Sequence, residues 1–395
     1  AAGTEEVRAR GAEPAVVGAA AALAESPSSP RTAVVARPER AIWCQGRGCG
    51  DCGCFIRAIV PAGRRCEQVV SPQAARVSLS PVTSNRTTGR MSPMTDMLTI
   101  TVIEPEELAP VGRLGEWLFA EGAALRMVRP WQGEAIPTLE EVGDGLVVLG
   151  GSMSAHDEAD HPWLADLREL LRGVVADNIP AIAICLGAQV AAEALGGTTA
   201  VPALGNDEVG VVELTITPAG ESDPVFGQVA AEAVRAAHRA GISTSDGTRL
   251  PVIVSHYDAV THLPEAATLL ASSDRSPVHT WRAGRLLAFQ HHPESDPARV
   301  AYWRTRDALN EQAGTMDTAS LKAARDALEV AAGKNAAPGA VGTHGATAAD
   351  LPESAASAGA ATREEAERVD PAIQAFGRSL ARVLVRNVRA RRLAR

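Results

Sequence analysis

Lysine is almost missing from this chain: of its 38 basic residues only Lys322 and Lys334 are lysine, and the rest are arginine. So lopsided a choice reads as coding bias from a GC-rich genome rather than as a binding signal. No apolar run approaches the ~20 residues that span a bilayer, which excludes a transmembrane helix. The run from Pro14 to Ala24 is not expected to be a secretory leader either. It is mostly alanine, opens on proline, and follows Glu5 and Glu6 where basic residues belong. Cysteine is scarce where it would matter for a disulfide framework. Between Met94 and Gln312 there is only Cys185, and a single reduced thiol fits a cytoplasmic location. The remaining cysteines, Cys44, Cys49, Cys52, Cys54 and Cys66, crowd the N-terminal segment. Their spacing matches no four-ligand zinc pattern and no histidine lies near. Neither a metal nor a cofactor is expected.

What is present divides the chain in three. Residues 1–93 are rich in Ala, Gly, Pro, Ser and Arg without hydrophobic periodicity, and are expected to be a disordered extension with no role in the fold. Met91, Met94 and Met97 stand just before the first good strand. Residues 94–312 alternate apolar strands with helical patterns and are long enough for a full core. Residues 313–395 read as an Ala/Gly-rich linker with one or two helices, the last rich in arginine. Charge follows the same division. Of the total of −9, residues 1–93 contribute +5 and residues 371–395 contribute +7, so the stretch between holds −21. An acidic central domain argues against a nucleic-acid substrate.

Within that domain, strands are expected at 98–103, 124–128, 145–149 and 180–184. Helices between them, at 111–122 and from Pro162 onward, have Leu114, Trp117 and Leu118, then Leu167, Leu170, Leu171 and Val174, at helical spacing. This alternation predicts right-handed βαβ crossovers and a parallel sheet. Short strands at 208–217, 252–255, 268–272, 278–282 and 286–290 predict a small added antiparallel patch. Residues 227–250 give no clear signal, and 298–309 closes the domain as a helix. At the C-terminus one helix is expected after Asp317 and another from Asp370-Pro371, a good cap and first turn. Residues 335–362 separate them as a linker. The arginine helix is expected to pack loosely or to dock on the acidic core, and to be dispensable for chemistry.

Cys185 ends the apolar run Pro180-Ala-Ile-Ala-Ile184, with Leu186-Gly187 as a sharp turn and a helix from Gln189 to Leu195. A thiol at a strand-to-helix turn has free backbone N–H groups nearby, which lower its pKa and can hold an oxyanion. A lone cysteine in such a strand is also ordinary core filler. His292-Pro293-Glu294 shifts the balance: in an extended segment the side chains at i and i+2 point the same way. His292 could then take the thiol proton while Glu294 fixes its tautomer; His291 is a second candidate base. In open α/β sheets ligands bind beyond the carboxyl ends of the strands, where Gly150-Gly151 and Cys185 both fall. Asp157, Glu158 and Asp160 nearby read as a solvated rim.

Taken in order, Leu149-Gly-Gly151-Ser-Met, Ala183-Ile-Cys185-Leu-Gly-Ala-Gln189, Ser255-His-Tyr-Asp258 and Gln290-His-His292-Pro-Glu294 resemble the triad type of class I glutamine amidotransferases over about residues 98–310. The stand-alone, GMP-synthase-like members are the nearest in pattern. The resemblance implies a flavodoxin-like α/β fold, with Cys185 as nucleophile, His292 as general base and acid, and Glu294 as its orienter. It implies oxyanion donors on the backbone of Leu186 and of Gly150 or Gly151, Gln189 in the glutamine pocket, and Ser255 and His256 at the substrate's amino-acid end. Two positions depart from the pattern: Ala188 stands where many members have His, and His291 where many have Phe. The implied reaction is glutaminase-type hydrolysis of a γ-glutamyl amide, with ammonia passed to an unknown acceptor or to a separate synthetase subunit. No ATP-pyrophosphatase loop of the Ser-Gly-Gly-x-Asp-Ser type follows the domain, so a fused synthetase half is not expected. A γ-glutamyl peptidase with the same triad, and a non-catalytic binding or regulatory subunit, are the alternatives.

Overall fold

The computed structural model describes residues 97–246, 248–316, 318–331 and 351–395. The N-terminal extension, its cysteine cluster and the first part of the expected linker lie outside the described residues.

The chain runs β1 (Leu98–Ile103), α1 (Gly112–Ala120), β2 (Ala123–Val128), β3 (Gly145–Val148), α2 (Trp163–Ala176), β4 (Ala181–Ile184) and α3 (Leu186–Ala194). It continues through β5 (Thr198–Ala200), β6 (Glu208–Ile216), α4 (Pro218–Ser222), α5 (Phe226–Arg239), β7 (Leu250–His256), β8 (Ala259–His262) and β9 (Thr268–Ser272). β10 (Thr280–Ala283), β11 (Leu286–Phe289), α6 (Pro297–Gln312), α7 (Thr318–Ala331) and α8 (Glu353–Leu393) complete it. The nine-stranded sheet has the order β2-β1-β3-β4-β11-β10-β9-β6-β7, and β5 pairs with β8 apart from it. From β2 to β11 the pairings are parallel; from β11 to β7 they are antiparallel. This is the mostly parallel α/β sheet expected, but its antiparallel wing takes in four whole strands and is more than a small patch.

Strand periodicity explains the layers, because successive side chains face opposite ways. Ile182 and Ile184 of β4 and Leu287 and Phe289 of β11 join one core with α1, α5 and α8. Ala181 and Ala183, with Leu286 and Ala288, join the other core with α2 and α3. Strands buried on both faces therefore read as unbroken apolar runs.

Three expectations are corrected. The uncalled stretch 227–250 contains most of α5, which buries Phe226, Val229, Ala230 and Ala233. The second C-terminal helix does not start at Asp370-Pro371: α8 begins at Glu353 and carries Pro371 in its interior. Packing of its N-terminal half on α6, through Ala366 and Ile373 beside Val300 and Trp303, holds the helix across the missing N–H. Nor is α8 loosely docked. Phe376, Leu380, Leu384 and Val388 sit inside the main core, each such burial stabilising by about 1.5–3 kcal/mol. Gly377 lets this helix cross Trp117 so closely that a Cβ there would meet the indole at 2.0 Å. No helix among the described residues is long and apolar enough to cross a membrane.

Candidate active site

The sharp turn after β4 is at Cys185 itself. Its φ is 49° and ψ −110°, a backbone that a non-glycine residue holds at a cost of about 1–3 kcal/mol. Leu186, expected to lie in the turn, is the first residue of α3, and the first N–H groups of a helix have no acceptor within it. Gly187 serves a different purpose: a Cβ would fall 2.7 Å from the Val148 carbonyl oxygen, so only glycine lets α3 start against β3. The Cys185 N–H is pinned to Phe289 O at 2.7 Å, and its Sγ lies 3.9 Å from Ser255 O.

Three residues beyond the pinned β11 residue, the chain presents His292-Pro293-Glu294. Nδ1 of His292 lies 2.7 Å from Glu294 Oε1. The His292 N–H donates to Ile253 O at 2.9 Å, and the imidazole lies 4.5 Å, centroid to centroid, from the Trp303 ring. Its Nε2 is buried without a hydrogen-bond partner among the described residues. Gly150 joins the two halves of the site: a Cβ there would lie 3.1 Å from His292 Cε1 and 3.3 Å from Cys185 Cβ. Burial by itself would depress the His292 pKa. The charge of Glu294, and then the adjoining Cys185 thiol, outweigh it and raise the ring to about 10. His291, the other candidate base, is fully buried, and burial drives its pKa well below the ordinary value. Its ring stacks on His279 and packs edge-on against Phe289 and Phe376.

The loop carrying Glu294 is braced from the C-terminal helix. Arg113 donates its backbone N–H to Glu294 O at 3.1 Å and a guanidinium N–H to Ser295 O. The same guanidinium pairs with Asp370 of α8 at 2.7 Å.

Cys185 opens into a cleft of about 580 Å³ whose lining includes Gly151, Gln189, Ser255, His256 and Asp258. The Gln189 amide donates to Asp258 O at 2.8 Å, fixing one wall. The His256 ring, expected to meet substrate, is engaged instead by Asp258 O at 3.1 Å and by Glu208 at 3.2 Å. Asp157, expected on a solvated rim, also lines the cleft and accepts the Ser154 N–H at 2.7 Å. Sequence reasoning missed the opposite wall, made by Tyr257 and by Arg306, Asp307 and Asn310 of α6. Burial, and then Asp307, push the Tyr257 phenol up to about 12. Nothing in the polar sequence of α6 marks these positions. Trp303 was equally invisible.

Residues 120–301 match the family model of class-I glutamine amidotransferases. The chain is 28% identical over 194 residues to the glutamine amidotransferase-like protein YfeJ of Salmonella typhimurium, covering 48% of this chain and 72% of that one. It is 31% identical over 153 residues to gamma-glutamyl peptidase 3 of Arabidopsis thaliana, covering 38% of this chain and 54% of the peptidase. With the glutamine-hydrolyzing GMP synthase of Nocardia farcinica it shares 32% identity over 173 residues, 41% of this chain and 27% of the synthase. The molecule is thus an α/β protein with a largely parallel sheet flanked by helices. More particularly, its residues 120–301 are similar to the class-I glutamine amidotransferases.

Proposed function

We propose that the chain hydrolyses a γ-glutamyl amide through a thioester on Cys185, with glutamine as the simplest substrate. The observation that carries this reading is that Cys185, on a strained turn, and a buried His292 held by Glu294 both border Gly150. With His292 as imidazolium, the sulfur is the nucleophile in its thiolate form. Attack on the carboxamide carbon makes a C–S bond and places charge on oxygen. The N–H groups of Leu186 and of Gly150 or Gly151 face that charge, each worth about 3–4 kcal/mol. Collapse breaks the C–N bond, and ammonia leaves with the proton from His292. Water then attacks the thioester, His292 takes its proton, and glutamate departs as the thiolate is restored. Gln189 and Ser255 shape the wall against which the glutamyl group lies, with the His256 backbone beside them.

Released ammonia passes to an acceptor or to a separate synthetase subunit. An unoxidised nucleophile suits a reducing cytoplasm. A second reading, γ-glutamyl peptidase, is favoured by the match to the Arabidopsis peptidase and by a cleft of about 580 Å³ with a polar α6 wall, ample for a substrate with a larger leaving amine. Parallel assays of ammonia from glutamine and of free amine from γ-glutamyl peptides separate the two. If Cys185→Ala matches wild type on both, the reading is wrong and a binding or regulatory role is left.

A further inference from the structure

Behind the cleft, on the antiparallel wing, three ionisable side chains meet with almost no water around them. Glu208 opens β6 and His256 ends β7, and the two are direct cross-strand partners. His279, just before β10, comes in from the side. Their exposures are 5%, 4% and 0%, so any charge among them has to be compensated within the cluster.

Counting hydrogens shows what the cluster requires. His256 Nδ1 faces the Asp258 carbonyl at 3.1 Å; a carbonyl only accepts, so the hydrogen is on Nδ1. In a neutral ring Nε2 then offers a lone pair, and it points at Glu208 Oε2 from 3.2 Å. Two lone pairs cannot face each other there without a positive charge between them. A second proton on His256 would serve that contact alone. Nε2 of His279 lies 3.5 Å from the same carboxylate oxygen, long for a hydrogen bond, and among the described residues neither of its ring nitrogens has a hydrogen-bond partner. One cation shared by all three would engage Glu208 Oε2 and the Nε2 atoms of both histidines at once.

The geometry fits such an ion. The three donor atoms all lie within 4.8 Å of one another. Zinc–ligand bonds of about 2.0–2.2 Å in a tetrahedron set neighbouring ligands roughly 3.3 Å apart, close to the 3.2 and 3.5 Å found on the two sides of Glu208 Oε2. Outer contacts are of the kind that orient metal ligands. His256 gives its other N–H to a backbone carbonyl, and Ser273 Oγ donates to the second carboxylate oxygen, Oε1, at 2.6 Å. Two imidazoles and one carboxylate suit zinc better than calcium or magnesium, which prefer all-oxygen shells.

We propose that Glu208, His256 and His279 bind a zinc ion. Its role is to clamp the wall of the cleft. His256 follows Ser255, whose carbonyl lies beside the thiol, and the Asp258 carbonyl receives both His256 Nδ1 and the Gln189 amide. The ion takes no part in the reaction assigned to Cys185, and the proposal stands whatever that reaction is.

The test uses the full chain purified without chelator. Metal content is measured, the protein is stripped by unfolding with a chelator, and it is refolded with Zn²⁺ or Co²⁺ alone. The expected results are about one zinc per chain, a melting temperature that drops on stripping and recovers with Zn²⁺, and a tetrahedral Co²⁺ spectrum without thiolate charge-transfer bands. His279→Gln, checked for native circular dichroism, is expected to lower retained metal at least tenfold. The proposal is overturned if wild type refolded with Zn²⁺ melts like the chelated protein and gives no tetrahedral Co²⁺ spectrum. It is equally overturned by a thiolate-dominated Co²⁺ spectrum, which would put the metal on the cysteines between Cys44 and Cys66.

Discussion

Nδ1 of His292 lies 2.7 Å from Oε1 of Glu294, two residues further along the same buried segment. The segment is not extended as expected: Pro293 and Glu294 form a turn, closed by the Ser295 N–H donating to His292 O at 3.2 Å, and the turn brings the Glu294 carboxylate to the ring. The Glu294 charge is the largest influence raising the ring's pKa against the cost of burial.

Glu294→Gln therefore tests function through pH. Losing the carboxylate charge lets burial pull the His292 pKa down. We expect kcat/KM for the γ-glutamyl amide to fall by about 10²–10⁴-fold and the alkaline limb of its pH profile to move to lower pH. A lower rate with an unmoved alkaline limb would assign Glu294 a merely structural role.

Stability should respond to the same pair. The folded pKa of His292, about 10, lies above its ordinary value of 6.5, so its contribution is complete below pH 6.5 and drains away as pH rises through 10. Wild type is expected to lose more melting temperature between pH 7 and 10 than His292→Asn does. Parallel curves over that window would contradict the assignment.

The C-terminal helix is a part of the domain, with consequences at two distances. Leu380→Ala is expected to destabilise by about 2–5 kcal/mol, read from chemical denaturation. Gly377→Ala should also lower the melting temperature, because its methyl would enter the Trp117 ring. A tail that could be truncated at Asn335 without loss of stability would refute this placement.

Asp370 reaches the site only through Arg113. Asp370→Asn is expected to lower kcat several-fold with little change in KM, since it loosens the loop of Glu294 and leaves the cleft wall in place. A change confined to KM would show that Arg113 does not transmit the effect.

Gly187→Ala should be severe for its size. The added methyl meets a backbone carbonyl, which cannot swing aside, so the start of α3 and the strained Cys185 turn must shift together. Both melting temperature and turnover are expected to fall; full activity would show that the turn tolerates a wider helix start.

Much of this architecture was legible because apolar strands such as Ala181–Ile184 are bounded by proline and by the turn at Cys185. The His292–Glu294 contact was legible because the two residues are near neighbours in sequence. Other features were hidden for physical reasons. α5 buries mainly alanines, which carry little hydrophobic contrast. The N-terminal half of α8 looked like a linker because its small residues are there for close approach: a Cβ on Gly359 would meet Thr305 Oγ1 at 2.0 Å. Asp370-Pro371 carried the composition of a helix start in the middle of a helix. Gly187 signalled a turn but answers a steric need one residue into α3. Trp303, Asp307 and Glu208 reach their places only through tertiary packing, which no local pattern encodes.

The central claim is that Cys185 is the nucleophile, driven by His292. The most direct measurement is mass spectrometry of the intact chain after reaction with an electrophilic glutamine analogue, such as a chloroketone, followed by peptide mapping. One adduct per chain is expected, on the peptide containing Cys185, suppressed by excess glutamine or γ-glutamyl substrate and strongly slowed in His292→Ala. A folded protein that leaves Cys185 unlabelled, or that is labelled there at the same rate without His292, would contradict the account.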